Sequence, residues 1–446
     1  MTPLSQLSSV GAVNAPNTQN RKLIMANLVG TMLEIYDMSI YGYFAPLIAA
    51  NFFPSSSKAV ALLNTLAVFM VSFIVRPIGA IIFGHIGDTI GRKQTLILTI
   101  LLISFATCGI GLLPNANQIG IYAPIFLVIF RIIQGLSFSG EYVGSLIFLM
   151  EQAPPHRKGF VASWATCGGN IGLLSASLLC WTVSHYCNPE QLSAWGWRIP
   201  FIFAALGGAL CFYLRHAIVE NIAFQKIKHE KPPLVEVFLH QKKQLFLLLC
   251  LTCFYMIVCY LIYVWSTTYL TQLAHISMNK ALGINSAALA LQVSLIPFLA
   301  SWSDRIGRKP LLVFGIVGLI LAIYPYYLVL QNGNLFWVIV AHLSISFLAT
   351  FFTSILPIVI AELIPSNVRY SGVGFGYNVA GMLVGGTTPI VAMLLIKKAH
   401  GPALLSLYFI FWAVLAWIAI QSMKAVKYKL AEKTSADNSI LVPESS

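Results

Sequence analysis

The chain has 446 residues, of which 58% are hydrophobic and only 9% charged, with a mean hydropathy of +0.80 and a net charge of +13. Soluble globular proteins carry about 25% charged residues, so one aqueous core cannot hide this much apolar surface and lipid must cover it. That excludes a set of soluble domains, and the long apolar runs with internal Gly and Pro suit membrane helices better than the alternating strands of a barrel.

Taken in chain order, residues 1–22 read as a flexible tail rich in Ser, Asn and Gln. Apolar runs follow at 24–50, 60–86, 95–114, 121–150, 159–184 and 197–218. The first is too long for a signal-peptide core, so no cleavable signal is expected. Six more runs lie at 245–271, 281–302, 310–330, 334–362, 370–396 and 402–424. A spanning helix needs roughly 20 residues, which predicts an all-α membrane protein of twelve transmembrane helices. The expected divisions are a six-helix bundle at 23–218, a cytoplasmic linker at 219–244, a second bundle at 245–424 and a disordered tail at 425–446.

Basic residues set the orientation. With both termini in the cytoplasm, 20 of the 27 Lys and Arg fall on the inner side, four on the outer side and three within spans. The positive-inside rule thus explains the basic balance. No basic stripe lies outside the short loops, so no nucleic-acid partner is expected.

Two motifs repeat across the halves. Gly84-His-Ile-Gly-Asp88-Thr-Ile-Gly91-Arg92-Lys93 returns as Asp304-Arg-Ile-Gly307-Arg308-Lys309, an offset of 216 residues. Glu151-Gln-Ala-Pro-Pro-His-Arg157 returns as Glu362-Leu-Ile-Pro-Ser-Asn-Val-Arg369, an offset of 211. Two unrelated motifs at nearly one offset indicate a duplicated six-helix unit, the architecture of a secondary transporter with its site between the halves. An Asp at such a loop corner can pair with a neighbouring helix end and its positive dipole. Glu151 with Arg157, and Glu362 with Arg369, read as matching clamps.

Ionisable residues at mid-bilayer cost about 2.5–3.5 kcal/mol each on insertion scales, so those present need a partner, water or a ligand. Glu34 and Asp37 are three apart and share a helix face. Their depth matches that of Arg76 on the second span, which predicts a carboxylate–Arg76 pair. One arginine cannot neutralise two acids, and two carboxylates beside one cation have their pKa values pushed apart, so one can carry a proton. Glu141 is a further proton-coupling candidate, deeper toward the cytoplasm. Arg131 lies near midplane on the fourth span. Arg198, beside Trp195 and Trp197, reads as an interfacial anchor. Gly168, Gly169 and Gly172, and Gly372, Gly374, Gly376 and Gly381, suggest close helix packing. Pro77, Pro357 and Pro389 should kink or break their spans. Cys250 and Cys253 lie within an apolar helix and read as small fillers. There is no G-x-x-x-x-G-K-[ST], metal-ligand cluster or catalytic triad, so no cofactor, no metal and no enzymatic activity are expected.

The loop Gly84–Lys93 after a second span resembles the signature loop of the major facilitator superfamily. Glu34-Ile-Tyr-Asp37, Arg76-Pro-Ile-Gly79, Arg131-Ile-Ile-Gln134-Gly135, Gly140-Glu141-Tyr142, Trp195-Gly-Trp-Arg198-Ile-Pro200 and Arg369-Tyr-Ser-Gly372 resemble its metabolite:proton symporter branch, over about residues 22–423. That branch includes proline/betaine, α-ketoglutarate, citrate and shikimate transporters. Ser139, Ile35 and Ala300 depart from its pattern, and the tail lacks the coiled coil of osmosensing members. The resemblance implies the major facilitator fold and proton-coupled symport of a small zwitterionic or anionic metabolite by alternating access. Uniport, antiport and a receptor on a transporter fold are the alternatives. It implies a monomer in the cell inner membrane, whose partners are metabolite, protons and lipid. It further implies substrate contacts from Arg76, Arg131, Tyr36, Tyr41, Tyr263 and Trp265, proton coupling through Asp37, Glu34 and Glu141, and gating by Asp88, Arg92, Glu151, Arg157, Asp304, Arg308, Glu362 and Arg369.

Overall fold

In lipid every backbone N–H and C=O must be satisfied within the protein, and a helix does so segment by segment. The computed structural model is helical in this way. It describes residues 18–55, 57–90, 92–138, 140–216, 233–399 and 401–423, and the side chains at 18–24, 26, 27, 87–90, 92, 93, 214–216, 233 and 399 lie outside that description. The expected tails fall almost entirely outside the described residues. So does the expected linker up to residue 232, beyond which a short helix, Pro233–His240, leads into the seventh span.

Ten helices among the described residues are long and apolar enough to cross a membrane, and Pro189–Gly196 with Arg198–Tyr213, bent by 44°, forms an eleventh span. The first helix, Thr18–Tyr43, carries Glu34 and Asp37, continues as Ala45–Phe52 and packs along the fifth span, Lys158–Tyr186. Counted as the first span, it makes the others the second to twelfth in chain order. The fifth span also lies along the eighth, Met278–Ile306, and this pair ties the first six spans to the last six. Ile81, Phe298 and Leu321 are 71%, 72% and 71% exposed, a surface that only lipid can cover.

The breaks in the spans have identifiable causes. Pro77, Pro357 and Pro389 each stand second in a new helical segment, after breaks at Val75, at Ser354–Ile355 and at Gly386–Thr387. Proline lacks the N–H and its ring clashes with the carbonyl four residues back. These are the kinks expected from sequence. The fourth span breaks without proline: Tyr122–Ser137 ends and Glu141–Gln152 begins at Gly140, whose φ of +78° is left-handed. Wide π-turns interrupt the seventh span at Cys259–Trp265 and the eleventh at Gly381–Gly385.

Close packing of the second span against the fourth depends on two glycines. A Cβ on Gly135 would lie 2.1 Å from the Ser72 carbonyl oxygen, and one on Gly79 would lie 2.0 Å from that of Leu136. Such backbone approach is typical of small residues in membrane bundles. Of the glycines expected to pack closely, Gly172 and Gly376 do so. Gly374 does not, for a Cβ there meets nothing within 4 Å. Gly135→Val should therefore overpack the second and fourth spans and cost about 1–3 kcal/mol. Gly374→Ala should leave stability unchanged or slightly raised. Thermal unfolding of the purified variants measures both, and equal midpoints for the two would contradict the packing argument.

Candidate functional site

The fourth span carries Arg131 into the centre of the first six helices, where it is fully buried. Its Nη1 donates to Gln134 Oε1 at 2.9 Å, and its Nη2 donates to Ser72 Oγ at 2.8 Å and to the Phe69 carbonyl at 3.3 Å. The Arg131 Cζ lies 4.3 Å from the centre of the Tyr41 ring. Gln134 passes the network on, donating to Thr107 Oγ1 at 2.6 Å. Asp37 lies within electrostatic range of Arg131 and beside Thr107, and its Oδ1 accepts no hydrogen bond. Arg131 thus has both terminal nitrogens occupied by the protein itself.

Arg76 opens the lower segment of the second span and is 1% exposed. Its guanidinium is sandwiched between Phe73 and Phe138, with Cζ 3.8 and 3.6 Å from the ring centres. Both faces are therefore covered, and only the in-plane edge remains. Along that edge Nε and Nη2 are buried and have no hydrogen-bond partner. Two adjacent in-plane donors are the fork that receives a carboxylate bidentately.

Glu34 and Asp37 were expected to share Arg76. The structure separates them: Glu34 lies in the electrostatic field of Arg76, and Asp37 in that of Arg131. The reason is the helical step. Three residues turn the two carboxylates toward different neighbouring spans. Glu141 begins the lower segment of the fourth span and is 7% exposed. With Glu34, Thr99 and Ser104 it lines a recess of about 10 Å³ open to a water centre, enough for one water molecule.

The expected aromatic contacts divide. Tyr41 stacks beneath Arg131 while its hydroxyl donates to the Thr65 carbonyl at 3.1 Å. The Tyr36 hydroxyl donates to the Pro200 carbonyl at 2.9 Å, and Tyr263 pairs with Ser346 at 3.0 Å. Trp265 is buried with Nε1 unpartnered. The rings around Arg76 are others: Phe73, Phe138 and Tyr260, which meets Phe73 edge-on at 5.3 Å. Tyr142 and Tyr377 lie together at 5.2 Å between ring centres. Sequence reading missed Phe73, Phe138, Tyr142 and Tyr377 as site residues. Tyr142 stands inside a motif, but nothing marks Phe73 or Tyr377 before the halves are brought together.

Arg198 donates from Nη1 to the carbonyls of Gly111, at 2.9 Å, and Leu113, at 2.5 Å, tying the sixth span to the end of the third. This anchors a helix terminus and stands apart from the centre.

At the end expected to face the cytoplasm, Asp304 accepts from the backbone N–H groups of Gly159, at 2.8 Å, and Phe160, at 2.9 Å, in the first turn of the fifth span. A carboxylate there meets the positive end of the helix dipole. Arg308 pairs with Asp304 at 2.7 Å and with Glu362 at 3.4 Å. Arg369 pairs with Glu151 at 2.9 Å and donates from Nε to the Ala361 carbonyl at 2.8 Å. The expected pairings within each motif, Glu151 with Arg157 and Glu362 with Arg369, are thus corrected. Glu151 and Arg369 bind across the halves, and Arg157 is exposed and pairs with no described acid. The span geometry puts the start of the eleventh helix, not the short loop after Glu151, within reach of that carboxylate. Asp88 and Arg92 lie outside the residues with described side chains.

Comparison with known proteins gives this constellation its setting. The family model of the Major Facilitator Superfamily matches residues 28–389. The chain belongs to that superfamily. It is 31% identical to the glycine betaine/proline/ectoine/pipecolic acid transporter of Dickeya dadantii, over 92% of this chain and 84% of the relative. It is 31% identical to the shikimate transporter of Escherichia coli, over 85% and 89%. With the proline/betaine transporter of Salmonella typhimurium it shares 30% identity over 91% and 83%. A solved proton:xylose symporter superimposes with a TM-score of 0.73 at 16% identity, covering 92% of this chain and 96% of that one, which supports the fold. The relatives place the chain in the metabolite:proton symporter branch, and the protein is a multi-pass membrane transporter of the major facilitator type, in a group named for transport and not for enzymatic activity.

The Asp304 contact leaves no room at Gly159, where a Cβ would fall 2.4 Å from Arg308 Nη1 and 2.6 Å from Asp304 Oδ1. Gly159→Ala and Asp304→Ala should both loosen this end and raise the labelling of cysteines introduced at the inner ends of the fifth and eighth spans. Substrate affinity should change only through that population shift. Labelling at the parent rate in both variants would show that the contact does not hold this end closed.

Proposed function

We propose that the protein carries out proton-coupled symport of a small metabolite bearing a carboxylate, by alternating access, with Arg76 as the carboxylate anchor. The observation that carries this reading is the unpartnered Nε–Nη2 edge of a fully buried guanidinium. A cation so buried retains a strong demand for a counter-charge. The names of the relatives, a zwitterion transporter and a shikimate transporter among them, support a small carboxylate.

Coupling follows from competition for Arg76. Ionised Glu34 compensates the guanidinium. Protonation of Glu34 removes that compensation and frees Arg76 to take the substrate carboxylate, so proton and substrate enter together. Asp37 and Arg131 form the neighbouring charge pair, with Asp37 the second proton acceptor, and Glu141 lies at the recess through which Glu34 reaches water. Tyr41 supports Arg131; Tyr36, Tyr263 and Trp265 shape the surrounding walls. Asp88, Arg92, Asp304, Arg308, Glu151, Arg157, Glu362 and Arg369 act at the inner end to set the balance between states. The working form is a monomer in the cell inner membrane, with both termini in the cytoplasm and two six-helix bundles rocking about the fifth and eighth spans.

The test is uptake into proteoliposomes of labelled glycine betaine, proline and shikimate, with the outside made acidic. An inward proton gradient should drive accumulation of at least one of them; equilibration without accumulation, whatever the gradient, would point to uniport. Arg76→Lys keeps the charge and loses the fork. It should weaken binding by about 1.5–3 kcal/mol, the worth of hydrogen bonds to a charged group, or roughly 10- to 150-fold. Glu34→Gln should abolish gradient-driven uptake and leave counterflow. Unchanged affinity in Arg76→Lys, or gradient-driven uptake at the parent rate in Glu34→Gln, would overturn the assignment.

A further inference from the structure

The two rings that cover Arg76 differ in what lies behind them. Phe138 ends the upper segment of the fourth span and Phe73 lies near the end of the upper segment of the second, so both belong to the same half as Arg76. Phe73, fully buried, is also packed against the other half. A Cβ on Gly386 of the eleventh span would lie 2.8 Å from Phe73 Cδ2, and one on Gly385 would lie 3.2 Å from Cε1. Tyr260 of the seventh span meets the ring edge-on at 5.3 Å. One ring therefore holds the guanidinium over its face, with Cζ 3.8 Å from its centre, and is seated on bare backbone of the opposite half.

Both backbones are broken where they meet. The second span breaks at Val75, just past Phe73, and the eleventh has its π-turn at Gly381–Gly385 and breaks at Gly386–Thr387. Spans bend at such places, and a few residues at the ends of elements absorb the backbone change of a closing movement. The ring is thus seated in a joint, and what holds it there depends on charge, because a ring face attracts a guanidinium through the cation's net charge. The titratable groups in the field of Arg76 are Glu34, Tyr260, Tyr377 and Arg131, and Glu34 is the carboxyl among them. An ionised Glu34, or a substrate carboxylate on the Nε–Nη2 edge, offsets the charge of Arg76 and weakens its hold on the ring. With Glu34 protonated and no substrate bound, the hold is strongest.

We propose that Phe73 is a positioning residue that locks the carrier when it holds a proton and no substrate: the charged Arg76 pins the ring in its glycine seat on the eleventh span, and a carboxylate beside Arg76 releases it. The proposal rests on Arg76 as the carboxylate anchor and Glu34 as its proton-dependent partner. The three charge states then have the mobility that symport requires. The empty carrier with Glu34 ionised moves, the carrier loaded with proton and substrate moves, and the carrier loaded with a proton alone does not, so the gradient is not dissipated. Phe138 feels the same change of charge, but it has no such seat on the eleventh span, and its release leaves that joint unmoved.

The experiment measures proton entry into proteoliposomes of the full-length protein with no metabolite present, read by an enclosed pH-sensitive dye after the outside is acidified. Phe73→Leu removes the ring, and Gly386→Ala fills its seat from the other half. Each should raise proton entry by about 2- to 30-fold, the strength of one cation–π contact. The two changes combined should leak no faster than the faster single variant, because both break one contact. Gly374→Ala, in the same span with nothing within 4 Å of its Cβ, should leak like the parent. Adding Glu34→Gln to Phe73→Leu should return proton entry toward the parent rate. Proton entry at the parent rate in both Phe73→Leu and Gly386→Ala overturns the proposal, and Gly386→Ala decides alone if thermal unfolding shows that Phe73→Leu does not fold. A leak equally large in Gly374→Ala, or undiminished by Glu34→Gln, reports loosened packing and also overturns it. Raised proton entry that requires Glu34, with affinity for glycine betaine, proline and shikimate unchanged in Arg76→Lys, would keep the lock and reject the carboxylate anchor.

Discussion

A charge buried in a bilayer has to be compensated within reach of its own side chain, and much of the centre of this transporter follows from how two arginines meet that demand. Arg131 meets it with protein groups: a glutamine, a serine and a carbonyl accept its terminal hydrogens while Tyr41 lies under its plane. Arg76 meets it only in part. Two phenylalanines cover its faces, and one edge of its fork stays unpaired. The two cations look alike in sequence. Their surroundings hold the terminal nitrogens of one with protein groups and leave an edge of the other open, the edge we propose as the substrate's anchor.

The backbone around that site is irregular for reasons that can be traced. Breaks at Val75 and at Gly140 put Arg76 and Glu141 at the starts of new helical segments. Opposite them, the seventh and eleventh spans widen into π-turns at Cys259–Trp265 and Gly381–Gly385. π-bulges concentrate at functional sites, and here they bring Tyr260 and Gly381 against Phe73 and Arg76. Irregular backbone at membrane depth is tolerated where protein covers it. Phe73 provides such cover, packed on Gly385 and Gly386 of the eleventh span.

The duplicated loop motifs act on the opposite half. Asp304, from the second copy, holds the first turn of the fifth span, and Arg369 reaches Glu151. The Arg369–Glu151 pair is partly exposed, and such a pair contributes about 0–1 kcal/mol. The Asp304 contact is 7% exposed at the carboxylate and engages two backbone donors and an arginine, so it carries more of the energy that joins the halves at this end. A transporter needs such contacts to be strong enough to close one side and weak enough to open on each cycle. A few charge-assisted hydrogen bonds at a helix terminus lie in that range.

Composition, hydropathy and the two repeated motifs were enough to determine a helical membrane protein of two related halves and to single out the charges within its spans, because lipid imposes length and polarity rules that act locally along the chain. The kinks at Pro77, Pro357 and Pro389 were legible for the same reason: a missing N–H is a local fact. Which acid serves which arginine was not legible, since Glu34 and Asp37 share a sequence pattern and differ only in the span each one faces. Nor were Phe73, Phe138, Tyr142 and Tyr377, which are ordinary aromatics until helices from both halves bring their faces together. Contacts across a bundle depend on the rotation and depth of each helix, and these are set by packing at places such as Gly79 and Gly135, where backbones touch. The tertiary structure alone decided that both terminal nitrogens of Arg131 are held by the protein while the Nε–Nη2 edge of Arg76 is not, because that difference lies in neighbours contributed by other spans.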